Sequence, residues 1–181
     1  MLALAATTVN AAQIDWKIGG ASNRFYDSDG NELSSVNAYL LLESKYTDWE
    51  TNLSTPSSAS EVATVLNSLS LDGPKEYVDL NTSGTFTSSS TSLTAGTVYN
   101  FYLIVVNPST GDYLDLGKKS DGAYAAGDTA TTISWTAAQS VFKTNPSKSQ
   151  YDANAWTSVP EPSTAALALA GLALLLKRRK A

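Results

Sequence analysis

Asp27-Ser28-Asp29-Gly30-Asn31-Glu32 gathers three carboxylates and an amide oxygen around a glycine, the donor set that oxygen-rich calcium loops use. The spacing departs from an EF-hand, because the sixth residue after Gly30 is Val36 where a Glu is required. Asp29-Gly30 is also a common hairpin-turn dipeptide, so Asp27, Asp29 and Asn31 read first as a turn and second as a calcium site. Trp16, Trp49, Trp135 and Trp156, with nine Tyr, offer flat surfaces on which sugar rings stack. Trp16 and Trp135 fall in strand-like runs and are assigned to the core. Trp49 and Trp156 fall in loop-like segments and are the candidates for a glycan platform. Of the 17 acidic residues, 16 precede Glu161, and glycoside cleavage needs only two of them about 5 to 10 Å apart. No spacing singles out such a pair. The chain has no His and no Cys, which excludes disulfides, imidazole- and thiolate-dependent catalysis, and metal sites built on nitrogen or sulfur. The expectation is a protein without catalytic residues or a cofactor.

Charge is distributed unevenly. Lys177, Arg178, Arg179 and Lys180 supply four of the 12 basic residues; without them and without Glu161, 8 basic residues face 16 acidic ones, a net charge of −8. Such a body repels a phosphate backbone, so nucleic acid is not an expected partner. The basic cluster follows twelve consecutive Ala, Leu or Gly residues, Ala165 to Leu176, with Ala165, Leu167, Leu169, Gly171, Leu172, Leu174, Leu175 and Leu176 as the membrane-helix residues. As a helix the run covers about 18 Å, so it approaches the span of a bilayer only with help from flanking residues and snorkelling Lys and Arg side chains. The four cations belong on the cytoplasmic side, which places everything ahead of the run outside the inner membrane. Pro160 and Pro162 disfavour helix at Val159 and Glu161 and uncouple the tail from what precedes it.

Pro160-Glu161-Pro162, the short apolar helix and the terminal basic cluster stand in that order over residues 159 to 181, and together they resemble the PEP-CTERM sorting signal of Gram-negative bacteria. The resemblance implies recognition by an exosortase, a membrane cysteine transpeptidase-like enzyme. It also implies cleavage near the Pro-Glu-Pro motif, a transient stay in the membrane, and delivery to the cell surface or an exopolysaccharide-rich biofilm matrix. Pro160, Glu161 and Pro162 are then substrate residues for another enzyme. Nothing in the resemblance bears on the fold of the rest, since such signals are found on unrelated bodies.

Export needs a signal at the other end. Residues 1 to 12 read MLALAATTVNAA, small and apolar, with Val9 and Ala11 set as a minus-three and minus-one pair. They look like the back half of a signal peptide, the alternative being the start of a strand that continues into Ile14 to Ile18. Residues 13 to 158 form the body, an expected extracellular domain. Val98 to Asn107 is apolar on both faces over Phe101 to Val106 and should be central in a sheet, with Asp112 to Leu116 returning beside it as a hairpin. Ile14 to Ile18, Asn37 to Glu43, Glu76 to Leu80, Gly84 to Thr87 and Thr131 to Thr136 are further strands. Val62, Val65, Leu66 and Leu69 lie at i, i+3, i+4 and i+7, one helical stripe, with Ser58 and Glu61 at capping-box spacing. The fold expected is a mainly β, antiparallel sandwich-like domain with one short amphipathic helix, followed by the C-terminal hydrophobic helix. Its expected role is that of an exported, non-enzymatic surface or matrix protein, the alternatives being a displayed carbohydrate-binding module and, behind it, a carboxylate-dependent glycosidase.

Overall fold

In the run AQIDWKI small and apolar residues alternate with polar ones, and it folds as a strand whose Ala12, Ile14, Trp16 and Ile18 are buried while Gln13, Asp15 and Lys17 point outward. A computed structural model describes residues 11–18, 24–27, 29–52, 58–78, 84–135, 142–143 and 156–159. In chain order the elements are β1 (Ala12–Ile18), β2 (Arg24–Phe25), β3 (Val36–Leu42), α1 (Glu43–Asn52), α2 (Ala59–Leu69) and β4 (Lys75–Tyr77). They are followed by β5 (Gly84–Ser90), β6 (Val98–Val106), β7 (Tyr113–Gly122), β8 (Tyr124–Ala125), β9 (Thr132–Trp135) and β10 (Phe142–Lys143). Most of the signal-peptide-like segment, the Pro-Glu-Pro motif, the apolar run 165–176 and the basic cluster lie outside the described residues. Among the described residues no helix is long and apolar enough to cross a membrane.

Among the described residues two four-stranded sheets carry the fold, and β2 pairs antiparallel with β10 in a separate two-stranded sheet. In the first, β5 runs antiparallel along the whole of β1, and β8 and β9 share the opposite edge of β1. The pairing of β1 with β9 is parallel, the departure from an all-antiparallel expectation. The second sheet has the order β4-β3-β6-β7, antiparallel throughout, so the strand with two apolar faces is internal as its sequence requires. Val36, Ala38, Leu40, Phe101, Leu103 and Val105 meet the inward face of β1 in one core. Tyr39, Leu41, Ile104 and Val106, on the other face of the same strands, meet Trp49, Val62 and Leu66 from the helices in a second core. The architecture is therefore a β-sandwich with a helical layer on the outer face of its second sheet.

Among the described residues that layer holds two helices where one was expected. The stripe on α2 packs as read: Val62 and Leu66 are buried, Val65 and Leu69 half-buried, and the Ser58 hydroxyl accepts the Glu61 amide at 3.3 Å. Its N-terminus sits against the β6–β7 turn, where Gly111 has φ +80 and a Cβ would come within 2.5 Å of the Ala59 Cα. Only glycine fits that approach. The additional helix, α1, has the sequence ESKYTDWETN and lacks an apolar stripe. Tyr46 and Trp49, three residues apart, are its aromatic contacts with the sheet.

Candidate functional site

The Asp27 loop closes on itself. One Asp27 carboxylate oxygen accepts the amides of Asp29 (3.0 Å) and Asn31 (2.8 Å), the other accepts Asn31 Nδ2 at 3.1 Å, and Gly30 takes φ 81. These are the bonds of an Asx turn, so the turn reading describes this loop. Among the described residues no group of three or more carboxylates gathers as metal ligands do.

Neither glycan-platform candidate presents a ring face to solvent, which corrects the expectation for both. Trp49 is 1 % exposed because its segment is a helix, not a loop, and the indole lies edge-on to Tyr113 with ring centroids 5.3 Å apart. Trp156 is 5 % exposed, packs against Phe25, and donates its indole N–H to the Tyr26 carbonyl at 2.7 Å. A sugar needs the open face of such a ring. Trp16 and Trp135 are core residues, as read.

The contact of α1 with the second sheet passes from apolar at Trp49 to polar at the start of the helix. Tyr46 stacks on Tyr102 of β6 at 3.6 Å and 8° and donates its hydroxyl to Asp115. Glu43 accepts Asn100 Nδ2 at 2.7 Å and Lys118 Nζ at 3.2 Å. The Asn100 bond first, and Lys118 second, hold the Glu43 carboxyl below its usual range. A carboxyl so held stays ionised and is a poor proton donor. On the first sheet, Asp15 accepts both Thr87 Oγ1 and the Tyr124 hydroxyl at 2.6 Å; burial, and then that carboxylate, push Tyr124 up to about 12. These carboxylates serve the fold's own contacts. Beside Glu43 an open cleft of about 520 Å³ is lined by Leu42, Lys45, Ser92, Val98, Tyr99 and Asn100, with Val98 69 % exposed at its mouth.

Sequence reasoning passed over the docking of the residues that lead into the tail. Thr157 forms a β-bridge with Tyr113, its amide donating to the Tyr113 carbonyl at 2.9 Å and its carbonyl accepting the Tyr113 amide at 3.1 Å. Tyr113 opens β7, the edge strand of the second sheet, so the bridge covers part of an exposed edge. Trp156, one residue back, joins the core between the sheets; Val159, two residues on, is 8 % exposed in the core under the helices and donates its amide to Asp112 Oδ1 at 3.3 Å. Residues 156–159 thus clamp both cores. The tail is not uncoupled from the body through Val159, because burial of that side chain and the bond of its amide to Asp112 dock it on the domain. The signal available in the sequence was the Trp-Thr-Ser-Val run itself, two apolar anchors around two small polar residues.

Residues 158–180 match the family model of the PEP-CTERM protein-sorting motif. Its boundaries lie one residue from those read off the sequence at each end, and its first two residues, Ser158 and Val159, belong to the docked segment. The C-terminal tail is therefore a PEP-CTERM sorting signal, and the chain that carries it is marked for export and for processing at the membrane by an exosortase. Comparison with curated proteins gives no significant match, and comparison with solved structures gives none.

Proposed function

We propose that this chain is a non-enzymatic component of the cell surface or extracellular matrix of a Gram-negative bacterium, a β-sandwich delivered by its tail and associated with exopolysaccharide and biofilm. The observation that carries the reading is the direct junction of a sorting motif, residues 158–180, with a folded β domain through residues 156–159. The engagement of Asp15, Asp27, Glu43 and Asp115 by the fold's own donors supports a structural role over an acid/base one. On this reading the apolar run 165–176 is a transient membrane helix, its cations stay cytoplasmic, and the signal-peptide-like segment ends ahead of Ala12, which is buried as the first residue of β1.

Replacing Pro160-Glu161-Pro162 with three alanines tests it. The native protein should be found on the surface or shed, lacking the Leu-rich tail, and the variant should stay full length in the inner membrane. Equal masses and equal fractionation of the two would reduce the tail to a plain anchor and remove the matrix role.

Carbohydrate binding at the surface is the second reading, and the cleft beside α1 favours it, with Tyr99, the exposed Val98 and the polar Asn100 and Glu43 in one concave surface. Extracellular polysaccharide should then raise the melting temperature of the wild type and leave Val98→Asp unmoved. A glycan panel that shifts neither protein rejects this reading.

A further inference from the structure

We infer that β5 is a docking edge for a second copy of this chain, the two copies pairing their β5 strands antiparallel about a two-fold axis at Thr87. A sheet edge is a row of unpaired N–H and C=O groups, and folds blunt such rows with short strands, charged side chains, bulges or a cover. Among the described residues, three of the four edges carry those devices. β4 is three residues long and bears Lys75 and Glu76. β7 bears Asp115, Lys118, Lys119 and Asp121, its register with β6 slips where Gly117 takes φ 78, and Thr157 bridges its start. β8 and β9, which share an edge, have two and four residues, and the Trp135 indole ties β9 to β7 by donating to the Gly117 carbonyl at 2.9 Å. β5 has none of these devices. Its seven residues, GTFTSSS, include no charge and no proline, they pair with β1 in unbroken register, and among the described residues no strand pairs with their other side. Phe86 marks the open flank of the core: it lies 4.7 Å from Trp16 and edge-on to Tyr77 at 6.5 Å, between ring centroids, and is still only half-buried.

Charge makes a second copy the fitting occupant. Ahead of Glu161, 16 acidic residues face 8 basic ones, so two copies repel wherever their carboxylates meet. Along β5 they can approach without a charge on either side. Pairing about Thr87 sets that residue against its own counterpart, Thr85 against Ser89 of the second copy, and Phe86 against Ser88 of the second copy. The outward positions are then matched by short uncharged side chains. On the inner face the two Phe86 rings lie diagonally across the axis, within the reach of aromatic side chains, and complete each other's burial. The contact is isologous, so it closes at two copies and propagates no fibre.

The chain has no cysteine, so one introduced thiol reports one contact. In the full chain, purified in detergent and mildly oxidised, Thr87→Cys should form a disulfide-linked dimer at least about tenfold faster than Thr132→Cys, because paired strands hold the two thiols at high effective concentration. Thr132 is exposed on β9 of the same sheet and controls for chance collision and for any association through the tail. Directly opposed residues stand about 4.5–5.5 Å apart at Cα, within disulfide reach. Added to Thr87→Cys, the pair Thr85→Glu and Ser89→Glu sets carboxylate against carboxylate across the axis and should lower the rate to that of Thr132→Cys. The pair Thr85→Glu and Ser89→Lys sets opposite charges there and should restore it. Equal rates for Thr87→Cys and Thr132→Cys overturn the inference. So does a fast cross-link that both charge pairs leave unchanged, and so does protection of the β5 amides from hydrogen exchange without a cross-link, which gives the edge to a different strand.

Discussion

Trp49→Ala should cost the domain about 3–5 kcal/mol of stability, the range for deleting a fully buried Trp side chain from a core that relaxes only in part. The indole is the main apolar contact of α1 with the sheet. It lies against Tyr113 and shares a core with Leu41, Ile104, Val106, Val62 and Leu66. Small domains are stable by only about 5–15 kcal/mol in total, so the loss is a large share of the whole. Chemical denaturation should show it as a lower midpoint at an unchanged slope. Trp49→Phe keeps much of the buried area and should recover about half of the loss. A variant with wild-type stability would contradict the burial and return Trp49 to the surface role that its sequence context suggests.

That contrast marks what the sequence made legible. Local patterns were readable: β6 needed no partner to declare itself a central strand, and the spacing of Val62, Val65, Leu66 and Leu69 defines one face of α2 whatever lies beneath it. The tail was readable for the same reason, since Pro-Glu-Pro, an apolar run and a basic cluster are contiguous. α1 was not, because the helix is held by two aromatic contacts with a distant hairpin and its other residues are polar. Tyr46 meets Tyr102 and Asp115 across more than fifty positions of sequence, a separation that no local period encodes. The parallel pairing of β9 with β1 is equally non-local. So is the bridge from Thr157 to Tyr113, which turns a loop-like segment into the clamp of both cores. Burial of Trp49 and Trp156 follows from these non-local contacts, and the sugar-platform expectation fails at both for that one reason.

Trp156→Ala should also cost about 3–5 kcal/mol, and its second effect separates it from an ordinary core deletion. The indole fills the site beside Phe25 and supplies a hydrogen bond to the Tyr26 carbonyl, so alanine leaves a cavity and removes that donor together. It is also one of the two side-chain anchors of the segment that Thr157 pairs to the edge of β7. With that anchor gone, the bridge rests on two backbone hydrogen bonds at a sheet edge and on Val159, and local opening should become far more frequent than global unfolding. Hydrogen exchange at the Tyr113 and Thr157 amides should therefore accelerate by a larger factor than exchange in β3 or β6. Equal acceleration everywhere would mean that Trp156 stabilises only the domain as a whole and that residues 156–159 do not open as a unit.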